Sequence, residues 1–182
     1  MRCFLAATPG AAAKRELLAL LADLVRERPD PGYRWTREDQ LHLTLRFLGE
    51  SDGEQLGALM PAVAALASAT APIGAWTAGW QFWPSRAAPS VLVLRIEPAP
   101  RLAGLASGLE ALARSAGFAA EKRPFKAHLT LARIGGLHAG AEAFDAPPPR
   151  IELAVDHVAL VQSRLGAQGS RYTELARVPI GA

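Results

Sequence analysis

Two of the four histidines in this chain head the same tetrapeptide: His42 opens HLTLRFLG at residues 42 to 49, and His128 opens HLTLARIG at residues 128 to 135. Aligned on the histidine, the segments also agree at Leu43/Leu129, Thr44/Thr130, Leu45/Leu131 and Gly49/Gly135, an offset of 86. Histidine titrates near neutral pH, so a pair can divide labour, one neutral as general base and one protonated as general acid. A threonine two residues on offers a hydroxyl that can hold an anionic oxygen. Two such sets facing each other suit in-line displacement at phosphorus. One imidazole activates the nucleophile, the other protonates the leaving oxygen, and the hydroxyls stabilise charge on the non-bridging oxygens.

The spacing also says what must position them. Each copy alternates polar and apolar residues, the period of a half-buried strand. Leu43, Leu45, Leu129 and Leu131 face a core, while His42, Thr44, His128 and Thr130 share the other face. Alone, a histidine on a strand is usually packing or surface. Duplication of a core explains the repeated leucines and glycine. It does not require the same histidine and threonine on the solvent side, and that is the reason to assign them chemistry.

The fifth residue after each histidine differs: Phe47 in the first copy, Arg133 in the second. In a flat strand an odd offset points to the core, where an unpaired arginine is costly. A bend or strand end near Gly135 would swing Arg133 to the site as a phosphate-binding fork. Phe47 is then either a surface for stacking a base or ordinary core. For Arg133 the plain alternative is a surface ion pair.

Other chemistries find no support. GxSxG, P-loop, GxGxxG and HExxH patterns are absent. The single cysteine, Cys3, allows neither an internal disulfide nor a thiolate metal cluster. No metal and no cofactor are called for. The formal net charge of +3 is a mild excess that suits a polyanion without requiring one. All the basic residues but Lys14, Lys122 and Lys126 are arginine, which suits phosphate but equally reflects genomic bias. No stretch approaches a membrane span or a secretory leader, so a cytoplasmic location is expected.

Along the chain, residues 2–8 read as a strand and Ala11 to about Arg28 as a helix with leucines at helical spacing. Tyr33–Trp35 is a possible short strand, and residues 37–39 turn into the first motif strand. Ser51 or Asp52 caps a second helix through Leu66, with Pro61 as a potential kink. Ile73–Trp83 and Val91–Ile96 make a hairpin, and a third helix spans about Arg101 to Ala116, closed by Gly117. The second motif strand follows. Residues 135–150 read as loop, and residues 151–161 and 172–178 as two final strands joined by a polar turn at 163–171. This mixture predicts an α+β fold with antiparallel sheets. With no Pro/Ser-rich linker, residues 1–182 are expected to form a single two-lobed domain. His138 reads as a loop residue and His157 as a strand residue. Tyr172, Arg171 and the tryptophans Trp76, Trp80 and Trp83 are within conceivable reach of the site, but packing is the better reading for them.

The paired HLTL segments with Arg133 resemble the 2H phosphoesterase superfamily and, within it, the RNA 2′,3′-cyclic phosphodiesterases also called 2′-5′ RNA ligases. The resemblance extends over the N-terminal strand, HLTLRFLGE (42–50), FWPSR (82–86), RPFKAHLTLAR (123–133) and QSRLGAQGSRYTEL (162–175). It implies a bilobal fold of two antiparallel sheets with outer helices and pseudo-twofold symmetry around a central cleft. It implies hydrolysis of a terminal 2′,3′-cyclic phosphate on RNA to a 2′-phosphate, without metal or cofactor, and reversible 2′-5′ joining in some members. By motif, His42 resembles the acid that protonates O3′ and His128 the base that activates water. Thr44, Thr130 and Arg133 match phosphate holders and Phe47 a base-stacking position. Two departures are Ala127, where proline is frequent, and Val93, where a larger aromatic is common. Expected partners are RNA ends with a 2′,3′-cyclic phosphate, with no membrane and a monomeric chain. Alternatives are a small cyclic nucleotide or an ADP-ribose cyclic phosphate as substrate, or an RNA-end binding module without catalysis.

Overall fold

A computed structural model of the chain describes residues 1–27, 29–135, 147–166 and 169–181. Three helices form where the apolar spacing places them. Helix α1 (Ala11–Glu27) buries Ala13, Leu17, Leu21 and Leu24, one stripe of its surface. Helix α2 (Gly53–Ser68) starts at Asp52, whose carboxylate accepts the Gln55 N–H at 2.7 Å while the Gln55 side chain returns to the Asp52 N–H. Pro61 does not split it. The carbonyl that Pro61 leaves unbonded belongs to exposed Gly57, where water can satisfy it. Helix α3 (Ala99–Ser115) ends at Gly117, whose φ of +83° lets Phe118 N–H reach the Ala113 carbonyl at 3.0 Å.

The strands are β1 (Arg2–Ala7), β2 (Tyr33–Trp35), β3 (Leu43–Glu50), β4 (Ile73–Pro84), β5 (Pro89–Glu97), β6 (His128–Ile134), β7 (Glu152–Val155), β8 (His157–Gly166) and β9 (Gly169–Pro179). They line up as β7-β4-β5-β6-β3-β1-β8-β9, with β2 against β6, and every pairing is antiparallel. The order is a palindrome in kind. β6 mirrors β3, β5 mirrors β1, β4 mirrors β8 and β7 mirrors β9, so the expected pair of antiparallel sheets is joined edge to edge. One residue pair, Leu43 opposite Leu129, makes that join.

One face of the sheet packs on the helices: Cys3, Leu5, Leu43, Leu45, Leu92, Leu94, Leu129 and Leu131 join the buried helix residues in one core. The opposite face is sparser, with Phe4, Ala6, Ala159 and Val161 clustered beneath Tyr172. Apolar burial on the helix side supplies most of the stability, and the other side carries only the smaller cluster.

Two expectations at the C-terminal end need correction. Residues 151–161 are two strands, not one. The chain breaks at Asp156 and sends β7 to pair with β4 and β8 to pair with β1. Asp156 and His157 interrupt the apolar run at the break, but two polar residues also fit one strand with a solvated face, so the pattern does not by itself separate β7 from β8. Within the stretch read as turn, residues 163–166 and 169–171 are ladder: Ser163, Arg164, Leu165 and Gly166 pair with Tyr172, Arg171, Ser170 and Gly169. This hairpin runs past the core, so both faces are solvated and its polarity mimics a loop. His138 and most of the loop read at 135–150 lie outside the described residues.

Candidate active site

Leu43 and Leu129 are equivalent residues of the repeat and also the pair that joins the two half-sheets. A twofold relating two antiparallel strands through such a pair runs normal to the sheet, and so keeps each side chain on its own face. His42, Thr44, His128 and Thr130 therefore lie together on the face away from the leucine core. Continuing the register by one residue each way sets His42 level with Thr130 and Thr44 level with His128.

The neighbouring strands explain Phe47 and Arg133. Along β5, Arg95, Val93 and Val91 alternate with the core residues Leu94 and Leu92, and they stand opposite His128, Thr130 and Arg133. The register slips between Val93 and Leu92 because Leu131 is an extra residue in β6. That bulge restores Arg133 to the face of His128 and Thr130. The first half repeats the device. Along β1, Ala6 and Phe4 stand opposite Thr44 and Phe47, with Leu45 as the extra residue. Phe47 is 49% exposed on this face and is not core. All six residues singled out from the sequence are thus brought to one face.

Both imidazoles are held alike. Nδ1–H of His42 donates to the Gln40 carbonyl at 2.7 Å, and Nδ1–H of His128 to the Lys126 carbonyl at 2.7 Å. Each bond fixes the ring and leaves Nε2 as the working nitrogen. Nε2 of His42 meets the Thr44 hydroxyl at 2.9 Å. Burial pushes both histidines below their ordinary pKa, against the carbonyl bonds that push upward, and the charge of His128 lowers His42 further. Protonating one ring thus opposes protonating the other, and a singly protonated pair is favoured over a doubly protonated one.

Phe4 escaped the sequence reading, and Tyr172 and Trp83, for which the sequence favours packing, also contact the histidines. Phe4 packs on His42 at 4.8 Å between ring centroids, and Tyr172 meets the same ring edge-on at 5.1 Å. Trp83 meets His128 edge-on at 4.5 Å. Phe4 also touches Phe47 and Tyr172, at 5.8 and 5.2 Å. The only advance signal was that Phe4, Trp83 and Tyr172 are aromatic residues in strand patterns. Trp76 instead lies under Arg150, and Trp80 packs against the core. His157 has a structural commitment, with Nδ1–H donating to Asp156 at 2.7 Å and Nε2 accepting from Thr8 N–H at 3.2 Å. Among the described residues, no three His, Cys, Asp or Glu side chains gather as a metal site would need. Nor, among the described residues, is any helix long and apolar enough to cross a membrane.

Comparison with known proteins agrees with this duplicated geometry. The family model described as LigT-like phosphoesterase matches twice, over residues 9–93 and 94–172. An RNA 2′,3′-cyclic phosphodiesterase of Thermus thermophilus is 34% identical over 174 residues, covering 87% of this chain and 81% of the relative. A protein of the same name from Escherichia coli is 34% identical over 152 residues, covering 82% and 80%. The crystal structure of E. coli LigT complexed with 3′-AMP superposes with a TM-score of 0.80 at 28% identity, covering 100% of this chain and 98% of that one. The crystal structure of a T. thermophilus protein gives a TM-score of 0.80 at 30% identity with the same coverage. The chain belongs to the LigT-like phosphoesterase family of the 2H superfamily.

Proposed function

We propose that this protein is a metal-independent RNA 2′,3′-cyclic phosphodiesterase that leaves a 2′-phosphate on its product. The observation that carries the proposal is the matched presentation of His42 and His128. Both sit on one face, each with Nδ1 tied to a carbonyl two residues back and Nε2 left to transfer a proton. Relatives bearing this activity's name, at 34% identity, support the substrate class.

In the proposed reaction, neutral His128 takes a proton from water at Nε2 as the water oxygen attacks phosphorus. The bond from phosphorus to O3′ breaks, and protonated His42 gives its Nε2 proton to O3′. The phosphate stays on O2′, and the exchange of protonation states is undone through solvent. With the 5′-hydroxyl of another RNA end in place of water, the same proton transfers give 2′-5′ joining, and their reversal cleaves that linkage back to the cyclic phosphate. Thr44, Thr130 and the Arg133 guanidinium hold the non-bridging oxygens, and Phe47 offers a ring for the terminal base. Thr44 has a second task. With His42 protonated, its hydroxyl oxygen accepts the Nε2 proton's hydrogen bond and steadies the acid until O3′ arrives. In this proposal the whole chain works as one two-lobed, monomeric domain.

The test is direct. Purified protein is incubated with an oligonucleotide ending in a 2′,3′-cyclic phosphate, in excess chelator, and the phosphate is located in the product. A 2′-phosphate is expected. A 3′-phosphate product, or turnover only after metal is restored, would overturn the proposal. Rates on a nucleoside or ADP-ribose cyclic phosphate, measured alongside, decide between RNA and a small substrate.

A further inference from the structure

Strand β2 lies off the palindromic path of the sheet. It pairs with the end of β6 beyond the point where β3 departs, setting Tyr33 opposite Ile134, Arg34 opposite Arg133 and Trp35 opposite Ala132. Tyr33 and Trp35 turn to the core and their rings stack there, with centroids 5.3 Å apart. Arg34 therefore points to the face of His128, Thr130 and Arg133. Thr36 N–H bonds the carbonyl of the bulged Leu131 at 2.8 Å, which pins β2 to the same irregularity that aims Arg133.

Two arginines directly opposite on an antiparallel pair repel each other. Both are exposed, and among the described residues no carboxylate pairs with either. A short strand anchored by Tyr33 and Trp35 would accept any small polar residue between them. A second guanidinium beside the first costs stability and makes sense where anions arrive. Arg34 stands in line with His42, one row further along the sheet, about 6.7 Å by two residues of strand rise. The cyclic phosphate carries one negative charge, and Arg133 already matches it. The next anion on an RNA end is the phosphodiester on O5′ of the terminal nucleotide.

We infer that Arg34, beside Arg133, binds the 5′-phosphate of the terminal nucleotide, so that the site distinguishes an RNA 3′ end from a free nucleoside cyclic phosphate. This rests on the phosphodiesterase reading above and adds a phosphate subsite to it. Binding of adenosine 2′-phosphate and of adenosine 2′,5′-bisphosphate, titrated calorimetrically, isolates the contribution of the 5′ group. In the unmodified protein the bisphosphate should bind roughly 10- to 100-fold tighter, the scale of a charge-assisted contact. Arg34→Ala should bring that ratio to within about twofold of one, and Arg34→Lys should keep part of it, a point charge replacing a planar fork. The melting temperature of Arg34→Ala should not fall, since the repulsion is relieved, and that of Arg34→Lys should stay near the unmodified value, since the charge is kept. A ratio near one in the unmodified protein, or a ratio unchanged by Arg34→Ala, overturns the inference. So does an equal loss for both ligands, which would assign Arg34 to the reacting phosphate. Hydrolysis of a cyclic-phosphate oligonucleotide is measured on the same samples. Hydrolysis with a flat ratio sinks the Arg34 subsite alone, whereas an intact ratio without hydrolysis supports the subsite and sinks the phosphodiesterase reading.

Discussion

At the position where the first half of the sheet presents Phe47, the second presents Arg133, and the same bulge aims both. The difference runs through the surroundings. His42 lies among rings, Phe4 and Tyr172, with Phe47 beyond. His128 meets the Trp83 ring, with the Lys126 ammonium 5.7 Å from that ring's centroid. Gln40 and Lys126 are also equivalent. Both give a backbone carbonyl to a histidine, but Gln40 spends its side chain gripping the Ser170 carbonyl of the β8–β9 hairpin at 2.7 Å. The two halves keep the same tethered imidazole and differ around it, with an aromatic wall on one side and a cationic wall on the other. That is the asymmetry a nucleotide has, with a flat base at one end and phosphate at the other.

The largest effects should fall where the halves are alike. His42→Ala and His128→Ala are each expected to lower kcat by about 10²- to 10⁴-fold, the usual worth of a positioned acid or base. The double variant should be little worse than the poorer single, because the two imidazoles serve one step. Initial rates on a cyclic-phosphate oligonucleotide measure this. If either single variant kept near-normal rates, the halves would not be partners. Next comes the pair that differs. Arg133→Ala should cost about 10²-fold in kcat/KM whatever the base, the scale of one lost donor to a developing oxyanion. Phe47→Ala should act mainly through KM and vary with the terminal base, since stacking contributes about 1–3 kcal/mol per base. Equal, base-independent losses for both would break the contrast between the walls.

A third difference lies beneath the site. Arg46, only 5% exposed, pairs with Glu110 and with Glu121 at 3.7 Å, tying β3 to the end of α3, whereas its counterpart in β6 is Ala132. Arg46→Ala should cost about 2–3 kcal/mol in a denaturant titration, under the usual 3–5 for a broken buried pair because both glutamates keep contact with water. A change under 0.5 kcal/mol would mean that Arg46 is an ornament of the repeat.

How much of this was legible beforehand follows from the range of each signal. The alternation in HLTL is local, so the motif strands, the shared face and the six candidate residues could be read from two octapeptides. Capping at Asp52 and the glycine stop at Gly117 are local too. The bulges at Leu45 and Leu131 exist only against a neighbouring strand, so the direction of Phe47 and Arg133 stayed open. Phe4, Trp83 and Tyr172 reach the histidines through pairings between distant segments, and no pattern within β1, β4 or β9 announces them. Arg46 sits in the first motif itself, yet its burial depends on glutamates contributed by α3 and the segment after it. The break at Asp156 had a local mark, Asp156 and His157 in an otherwise apolar run, but so short a polar pair does not distinguish a strand break from a solvated face, and the different partners decide it.

The smallest effect tests whether the two histidines share one electrostatic environment. Both are held below the ordinary value of 6.5, chiefly by burial, and His42 also by the charge of His128. A group with a lowered folded pKa binds fewer protons folded than unfolded. Its contribution is therefore intact above pH 6.5, and stability is lost as pH falls through that value toward the folded pKa. His42→Ala and His128→Ala should each flatten this acid slope in melting experiments. The same shifts place the singly protonated pair of the free enzyme on the acid side of 6.5, so kcat/KM should peak there and fall toward alkaline pH. A bound phosphate anion favours the charged imidazole, so the profile of kcat should lie at higher pH than that of kcat/KM. If His128→Ala left the titration of His42 unmoved, as followed by ring proton resonances, the two rings would be electrostatic strangers and the matched halves would share no site.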